Sequence, residues 1–242
     1  MRINYFSDLH LEFGEQRLPD TDADIIVAAG DIGVLGQGVE WLKALHKPVI
    51  YVAGNHEFYG GEYRRVLDQL RGECANTAIQ FLEKDQFIYQ GVRFLGCTLW
   101  TDLLEVEAEK LPILEKGLND FRNIRYQERA FSPVEFSALY GESKAWLENQ
   151  LARPFPGKTV VVTHHAPTEW SWPERANALR KRAYCNDLRA LLHEYPITVW
   201  FHGHVHNHGD YRTADARILS NARGYVGRRL VAKFDINKTV DI

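Results

Sequence analysis

Short apolar runs recur along the chain, and most of them stop at a cluster of aspartate, asparagine or histidine. Residues 3–6 lead into Asp8-x-His10, residues 25–28 into Gly30-Asp31, and residues 49–52 into Gly54-Asn55-His56-Glu57. Residues 159–162 lead into His164-His165, and residues 198–201 into Gly203-His204-x-His206, with His202 and His208 beside it. Runs of about four residues rich in β-branched and aromatic side chains favour strands over helices. Strands this apolar are covered on both faces, as in parallel sheets.

Helical patterns fall between the runs. Tyr63, Val66, Leu67 and Leu70 are spaced for one helix face, and Leu188, Leu191, Leu192 and Tyr195 repeat that spacing. Ser132-Pro133-Val134-Glu135 reads as a helix start, with the serine as cap and the glutamate reaching back. That helix runs to Leu151, ahead of Pro154 and Pro156. Residues 87–89 and 92–95 flank Gln90-Gly91 as a hairpin, and a last strand is expected over residues 229–235. Residues 101–131 and 166–186 lack regular periodicity and read as cap-like excursions. The expected fold is α/β, an αββα four-layer sandwich of two mixed sheets flanked by helices, in a single domain over residues 1–242.

The polar clusters then acquire a common meaning. Ligands of α/β sheets gather beyond the carboxyl ends of the strands, so clusters far apart in sequence meet on one rim. Asp8 and His10 can grip one divalent ion. Asp31 has two oxygens and can bridge two ions. Asn55 offers a neutral carbonyl, and His164, His204 and His206 complete the set. Such ligands suit manganese, iron, zinc, nickel and cobalt. A bound dication lowers the pKa of water, for zinc from roughly 16 to about 7, and two adjacent dications form a site for attack on phosphate esters.

These motifs, in this order, resemble the calcineurin-like metallophosphoesterase family. The likeness spans nearly the whole chain. It implies the four-layer sandwich and a centre of two divalent ions, manganese being the expected metal. It places Asp8, His10, Asp31 and His206 on one ion and Asp31, Asn55, His164 and His204 on the other. A hydroxide bridging the ions would attack phosphorus, and His56 would donate a proton to the leaving oxygen or steady the transition state. Glu57 completes the motif without being a ligand. Leu99-Trp100-Thr101, Asn119-Asp120-Phe121, Thr163-His164-His165-Ala166-Pro167 and Asn221-Ala222-Arg223-Gly224-Tyr225 resemble a bacterial branch whose substrate the family does not settle. The protein Ser/Thr phosphatases of the superfamily carry arginines where this chain has Ala53 and Ile32-Gly33, and the UDP-diacylglucosamine hydrolases carry arginine at the place of His56. Both assignments are therefore disfavoured.

Other residues have two readings each. His165 is a support behind the ligands or a substrate contact. Asn119 and Asp120 reach the substrate pocket or simply form a turn. Arg223 contacts phosphate or makes a surface salt bridge. Trp170 and Trp172 are read as local core in preference to a stacking platform. Arg175, Arg180, Lys181 and Arg182 lie close together and leave a local basic patch open, and the run Arg180-Lys181-Arg182 is read as a solvated face in preference to a nucleic-acid site. His202 reads as a strand end, His208 as a loop residue, and His46 and His193 as exposed on helical segments.

The net charge of −3 offers no basic stripe for nucleic acid. Cys74, Cys97 and Cys185 are odd in number and form no Cys-x-x-Cys, which disfavours a disulfide framework or a thiolate zinc site and fits a reducing compartment. No secretory leader is visible, and no apolar run approaches the roughly 20 residues that cross a bilayer. The expectation is a cytoplasmic hydrolase acting on a small phosphate ester, with no membrane partner. A manganese-dependent nuclease is the rival enzyme, opposed by the acidic charge and the short chain. A non-catalytic scaffold of the same fold is the rival of another class, opposed by the retained His56.

Overall fold

The computed structural model describes residues 1–173 and 177–242. Arg175 of the basic cluster lies outside the described residues. The first sheet contains β1 (Arg2–Phe6), β2 (Ile25–Ala29), β3 (Val49–Val52) and β4 (Ile79–Phe81), all parallel, with the late strand β15 (Thr239–Asp241) antiparallel to β1 at one edge. The second sheet has the order β11-β12-β10-β9-β6-β5. Its parallel centre is β6 (Val92–Cys97), β9 (Lys158–Thr163), β10 (Val199–His202) and β12 (Ala216–Asn221). Its antiparallel edges are β5 (Asp85–Tyr89) and β11 (His208–Thr213). Two small hairpins complete the strands: β7 (Arg125–Tyr126) with β8 (Arg129–Ala130), and β13 (Gly224–Tyr225) with β14 (Arg229–Leu230).

The two sheets face one another. Ile3, Tyr5, Ile25, Val27, Ile50 and Val52 of the first pack against Phe94, Val160, Val162, Val199, Phe201 and Leu219 of the second. The intervening residues face outward and are buried as well. Phe6, Ile26, Ala28, Val49 and Tyr51 lie under α1 (Gln37–Lys43) and α2 (Tyr63–Cys74). Leu95, Val161, Trp200 and Ile218 lie under α5 (Pro133–Leu151) and α7 (Arg189–Glu194). The result is the four-layer αββα sandwich, and it explains why these strands are apolar at nearly every position rather than at alternate ones.

Several local expectations need correction. Only Arg229 and Leu230 of residues 229–235 are strand. Beyond them the backbone is held by buried asparagines instead of a ladder: Asn221 Nδ2 donates to Asp235 O at 2.8 Å, and Asn4 Nδ2 donates to Ile236 O at 3.0 Å and to Lys238 O at 2.8 Å. Ser132 precedes α5 but caps nothing; its hydroxyl donates to Glu135, which also pairs with Arg129. The excursions are partly regular. Residues 101–131 hold α3 (Leu111–Gly117), α4 (Asp120–Asn123) and the β7–β8 hairpin, and residues 166–186 hold α6 (Ala178–Lys181). His208 lies on β11, not in a loop, and His46 is exposed just beyond α1. The three cysteines are free and buried. No helix among the described residues is long and apolar enough to cross a membrane.

Gly96 on β6 lies tight against the first sheet and the turn after β4. A Cβ there would stand 2.5 Å from Leu82 Cβ and 3.0 Å from Val52 Cγ1. Gly96→Val is expected to destabilise the protein by about 1–3 kcal/mol through overpacking; an unchanged urea midpoint would show that the sheets can part at no cost.

Candidate metal centre

The carboxyl ends of β1, β2, β3, β9 and β10 converge on one rim. Each strand runs straight into a turn that bears the polar side chains named from the sequence. Five of these residues take a left-handed backbone: Asp8 (φ 52°), His10 (48°), Asp31 (54°), His204 (66°) and His206 (46°). Hydrogen bonds hold the turns to one another. Asp8 accepts the backbone N–H of His204 at 3.0 Å, linking the two sheets. Asp31 Oδ1 accepts the N–H of His56 at 2.8 Å. Gly203 N–H donates to His164 O at 3.0 Å.

Glu57 organises the first sheet's side of the rim and is fully buried. Its Oε2 accepts from Asp31 N (3.0 Å) and Gly54 N (2.7 Å), and its Oε1 from Ile32 N (2.8 Å) and the Tyr51 hydroxyl (2.9 Å). Burial and the Asp31 carboxylate push its pKa up to about 7. All four contacts are donors, however, so the form they hold is the carboxylate. Gly54 admits no side chain beside this brace, since a Cβ would meet Asp31 Oδ1 at 2.2 Å.

The side-chain donors fall into compact groups. Asp8, His10 and His206 present ligand atoms within 4.8 Å of one another, and so do Asp31, His164 and His204. A third such group, His10, Asp31 and His56, overlaps both. Asp31 Oδ2 lies 3.6 Å from His10 Nε2, while Asp31 Oδ1 lies 3.4 Å from His164 Nε2. His206 Nε2 stands 3.2 Å from Asp8 Oδ1, and Asn55 Oδ1 stands 3.2 Å from His164 Nε2. Burial favours a neutral Asp31, but the charges of His164 and His56 outweigh it and hold the carboxyl well below the usual range.

The remote nitrogens of the histidines are also engaged. His164 Nδ1 donates to Ala29 O at 2.9 Å. His10 Nδ1 and His56 Nδ1 both meet Glu12 Oε1, at 3.1 and 2.7 Å. A hydrogen bond at Nδ1 fixes the tautomer and turns Nε2 inward as a ligand or proton carrier. Burial works against a charged Glu12, yet the bonds from His10 and His56 win and hold its pKa down to about 2. The sequence reading overlooked Glu12; its place two residues after His10 was the available signal.

A cavity of 280 Å³ opens directly over the centre. Asp31, Asn55, His56, His204 and His206 form its floor. Tyr59, Tyr225, Tyr184, Trp172, Asn119 and Asp120 are in its walls, with Arg180 and Arg229 among the lining residues. Tyr184 stacks on His204 with ring centroids 4.2 Å apart, and Tyr59 stacks on His56 at the same separation. None of the three tyrosines was anticipated in this role: Tyr225 belongs to the motif at residues 221–225, while nothing in the spacing of Tyr59 and Tyr184 distinguishes them from core aromatics. A larger cavity of 560 Å³, lined by Arg93, Phe155 and Lys158, opens at the other ends of the strands and contains none of the candidate residues.

Of the residues with two readings, Asn119 and Asp120 do reach the cavity. His165 does not line it. It is fully buried, its ring 4.2 Å from that of His204 and 5.2 Å from that of Trp100, and burial and the charge of His164 push its pKa down to about 3. Among the described residues Arg223 forms no salt bridge, and it is not in the cavity lining. Its guanidinium donates to the carbonyls of Leu9 and Gly14 at 2.9 Å and to Glu15 O, so it staples the turn that carries His10 and Glu12. Trp170 is 58% exposed rather than core, and Trp172 is a cavity wall. The basic run is not a uniform solvated face either: Arg180 donates to Gly117 O, Lys181 pairs with Glu169 and Arg182 with Glu105.

A family model described as calcineurin-like phosphoesterase matches residues 1–208. No curated protein matches the chain in sequence. Among solved structures, phosphopantetheinyl hydrolase from Mycobacterium tuberculosis aligns with a TM-score of 0.70 at 20% identity, covering 92% of this chain and 89% of its own. A dimetal phosphatase from Danio rerio aligns at 0.55 with 14% identity, covering 93% and 87%. A protein of Thermus thermophilus, TT1561, aligns at 0.52 with 13% identity, covering 91% and 88%. At these identities the likeness is one of fold.

Glu57→Ala would leave three backbone N–H groups and a tyrosine hydroxyl without their acceptor. A loss of at least about 3 kcal/mol is expected from the unpaired buried donors, measurable as a lower urea midpoint. A midpoint at the wild-type value would show that Glu57 does not brace the rim.

Proposed function

The chain belongs to the calcineurin-like phosphoesterase family and is a hydrolase acting on phosphoric ester bonds; from that premise we propose that it uses two divalent cations, held on the rim, to hydrolyse a small phosphate ester. Asp8, His10, Asp31 and His206 would hold one cation and Asp31, Asn55, His164 and His204 the other. The observation that carries this reading is the orientation of Asp31, whose two oxygens face two different groups of ligands. The donor set fits: carboxylate, imidazole and amide oxygens suit manganese, the expected metal, and also iron, zinc, nickel and cobalt. When bound, the cations supply Lewis acidity that lowers the pKa of water and withdraws charge from phosphoryl oxygens.

His56 is the proton carrier in this reading. Burial disfavours its charged form, but Asp31 and Glu12 prevail and raise its pKa. Glu12 holds Nδ1, which leaves Nε2 to give its proton to the departing oxygen or to steady a phosphoryl oxygen. Tyr59 stacks on one side of the ring, and the Tyr225 hydroxyl stands 3.4 Å from Nε2. The size of the cavity supports a small ester over a polynucleotide.

His56→Ala is expected to lower kcat by about 10²–10⁴-fold, the range for a general acid, with bound manganese close to wild type by elemental analysis. Full activity would remove the proposed role. Asp31→Asn should lose metal together with activity, and retention of both cations at wild-type affinity would exclude the bridge. A manganese-dependent nuclease would instead digest labelled single- or double-stranded DNA faster than it hydrolyses p-nitrophenyl phosphate. A scaffold would hydrolyse none of these.

A further inference from the structure

One wall of the cavity carries a buried carboxyl group with an oxygen that neither the fold nor the metal ligands occupy. Asp120, the first residue of α4, is 5% exposed and lines the cavity. Its Oδ1 is withdrawn from water and has no donor among the described residues. Its other contacts are its own backbone N–H and the Asn55 side chain; it forms no ion pair among those residues and belongs to none of the three ligand groups. A buried acceptor without a partner is costly to a folded chain, so its retention at a site calls for a ligand that supplies the donor. Its surroundings indicate which part of a ligand that is. The Asn55 side chain reaches its carboxyl and His56 lies near it, so Asp120 stands on the side of the cavity where His56 would meet a leaving alcohol. The indole Nε1 of Trp172, on the same cavity, is likewise buried without an acceptor among the described residues. Asp120 and Trp172 come from the two different excursions, and Arg180 ties these together by donating to Gly117 O at 3.1 Å.

We propose that Asp120 accepts a hydrogen bond from the substrate's leaving group, and that the enzyme therefore acts on phosphoric esters whose alcohol carries a hydroxyl or amide N–H. This rests on the phosphoesterase reading above. A group that both donates and accepts, such as a hydroxyl, matches the free acceptor of Asp120 and the free donor of Trp172. A plain alkyl ester leaves both unpaired.

The test is a ratio. kcat/KM is measured for sn-glycerol 3-phosphate and for propyl phosphate, which lacks the hydroxyls, with p-nitrophenyl phosphate as the generic ester. The manganese-loaded wild type should prefer the glycerol ester by about ten- to hundredfold, the worth of one hydrogen bond to a charged group. In Asp120→Ala that ratio should fall towards one. Asp120→Asn, which keeps the volume if alanine does not fold, should lie between. Calorimetric affinities for the matching non-hydrolysable phosphonates should follow the same order, and elemental analysis checks the metal content of each variant. Absence of a wild-type preference, or an equal loss on both esters with the ratio preserved, overturns the assignment and leaves the phosphoesterase reading standing. Failure of the wild type to hydrolyse even the generic ester sinks that reading and this one together.

Discussion

Buried carboxylates that accept backbone N–H groups hold this molecule's working end in place. Asp8 binds the amide of His204 across the gap between the sheets, Asp31 binds the amide of His56, and Glu57 gathers four donors from β3 and the turns after β2 and β3. A turn at a strand end exposes amides that no ladder can satisfy. Here these amides find acceptors in side chains of neighbouring turns, so the turns fix one another. The candidate ligands inherit that order: the groups that position the rim include two of the carboxylates proposed to bind metal.

The sandwich serves this arrangement through its two-sided burial. Strands covered on both faces cannot slip by one residue without placing their polar ends among apolar neighbours, and Gly96 admits close packing of the sheets that Asp8 and His204 join at the rim. The excursions outside the sandwich then decide what can approach the rim. They contribute Asn119, Asp120, Trp172 and Tyr184, and Arg180 joins one excursion to the other. Core and cap thus divide the labour between a floor of candidate metal ligands and a wall proposed to discriminate among esters.

How much of this could be read in the sequence follows from the same division. The central strands were legible because double burial writes an unbroken apolar run, and the candidate ligands because most of the runs end on them. β11 and β12 were missed: their polar and apolar positions mix at a sheet edge, where one strand stays half exposed. Residues 229–235 carry strand-like side chains, but only Arg229 and Leu230 pair in a ladder, and the carbonyl of Asp235 is claimed by the Asn221 side chain. Arg223 was read by its charge, whereas its partners are carbonyls, which leave no imprint on a sequence. Glu12 and the tyrosines of the cavity escaped for the same reason: their roles depend on which chain segments become neighbours.

The left-handed turns at Asp8, His10, Asp31, His204 and His206 limit how such a site can change. Few side chains other than glycine tolerate that backbone, and aspartate, asparagine and histidine are the chief ones. They are also good donors to transition metals. The conformational filter and the chemical filter therefore select nearly the same residues. Glutamate, an acceptable metal donor elsewhere, is poorly suited to positions 8 and 31 on both counts, because its longer arm overshoots and its backbone resists the turn. Retuning for another cation is accordingly easier in the surrounding contacts, at Glu12 or Tyr184, than by exchange of the donors themselves.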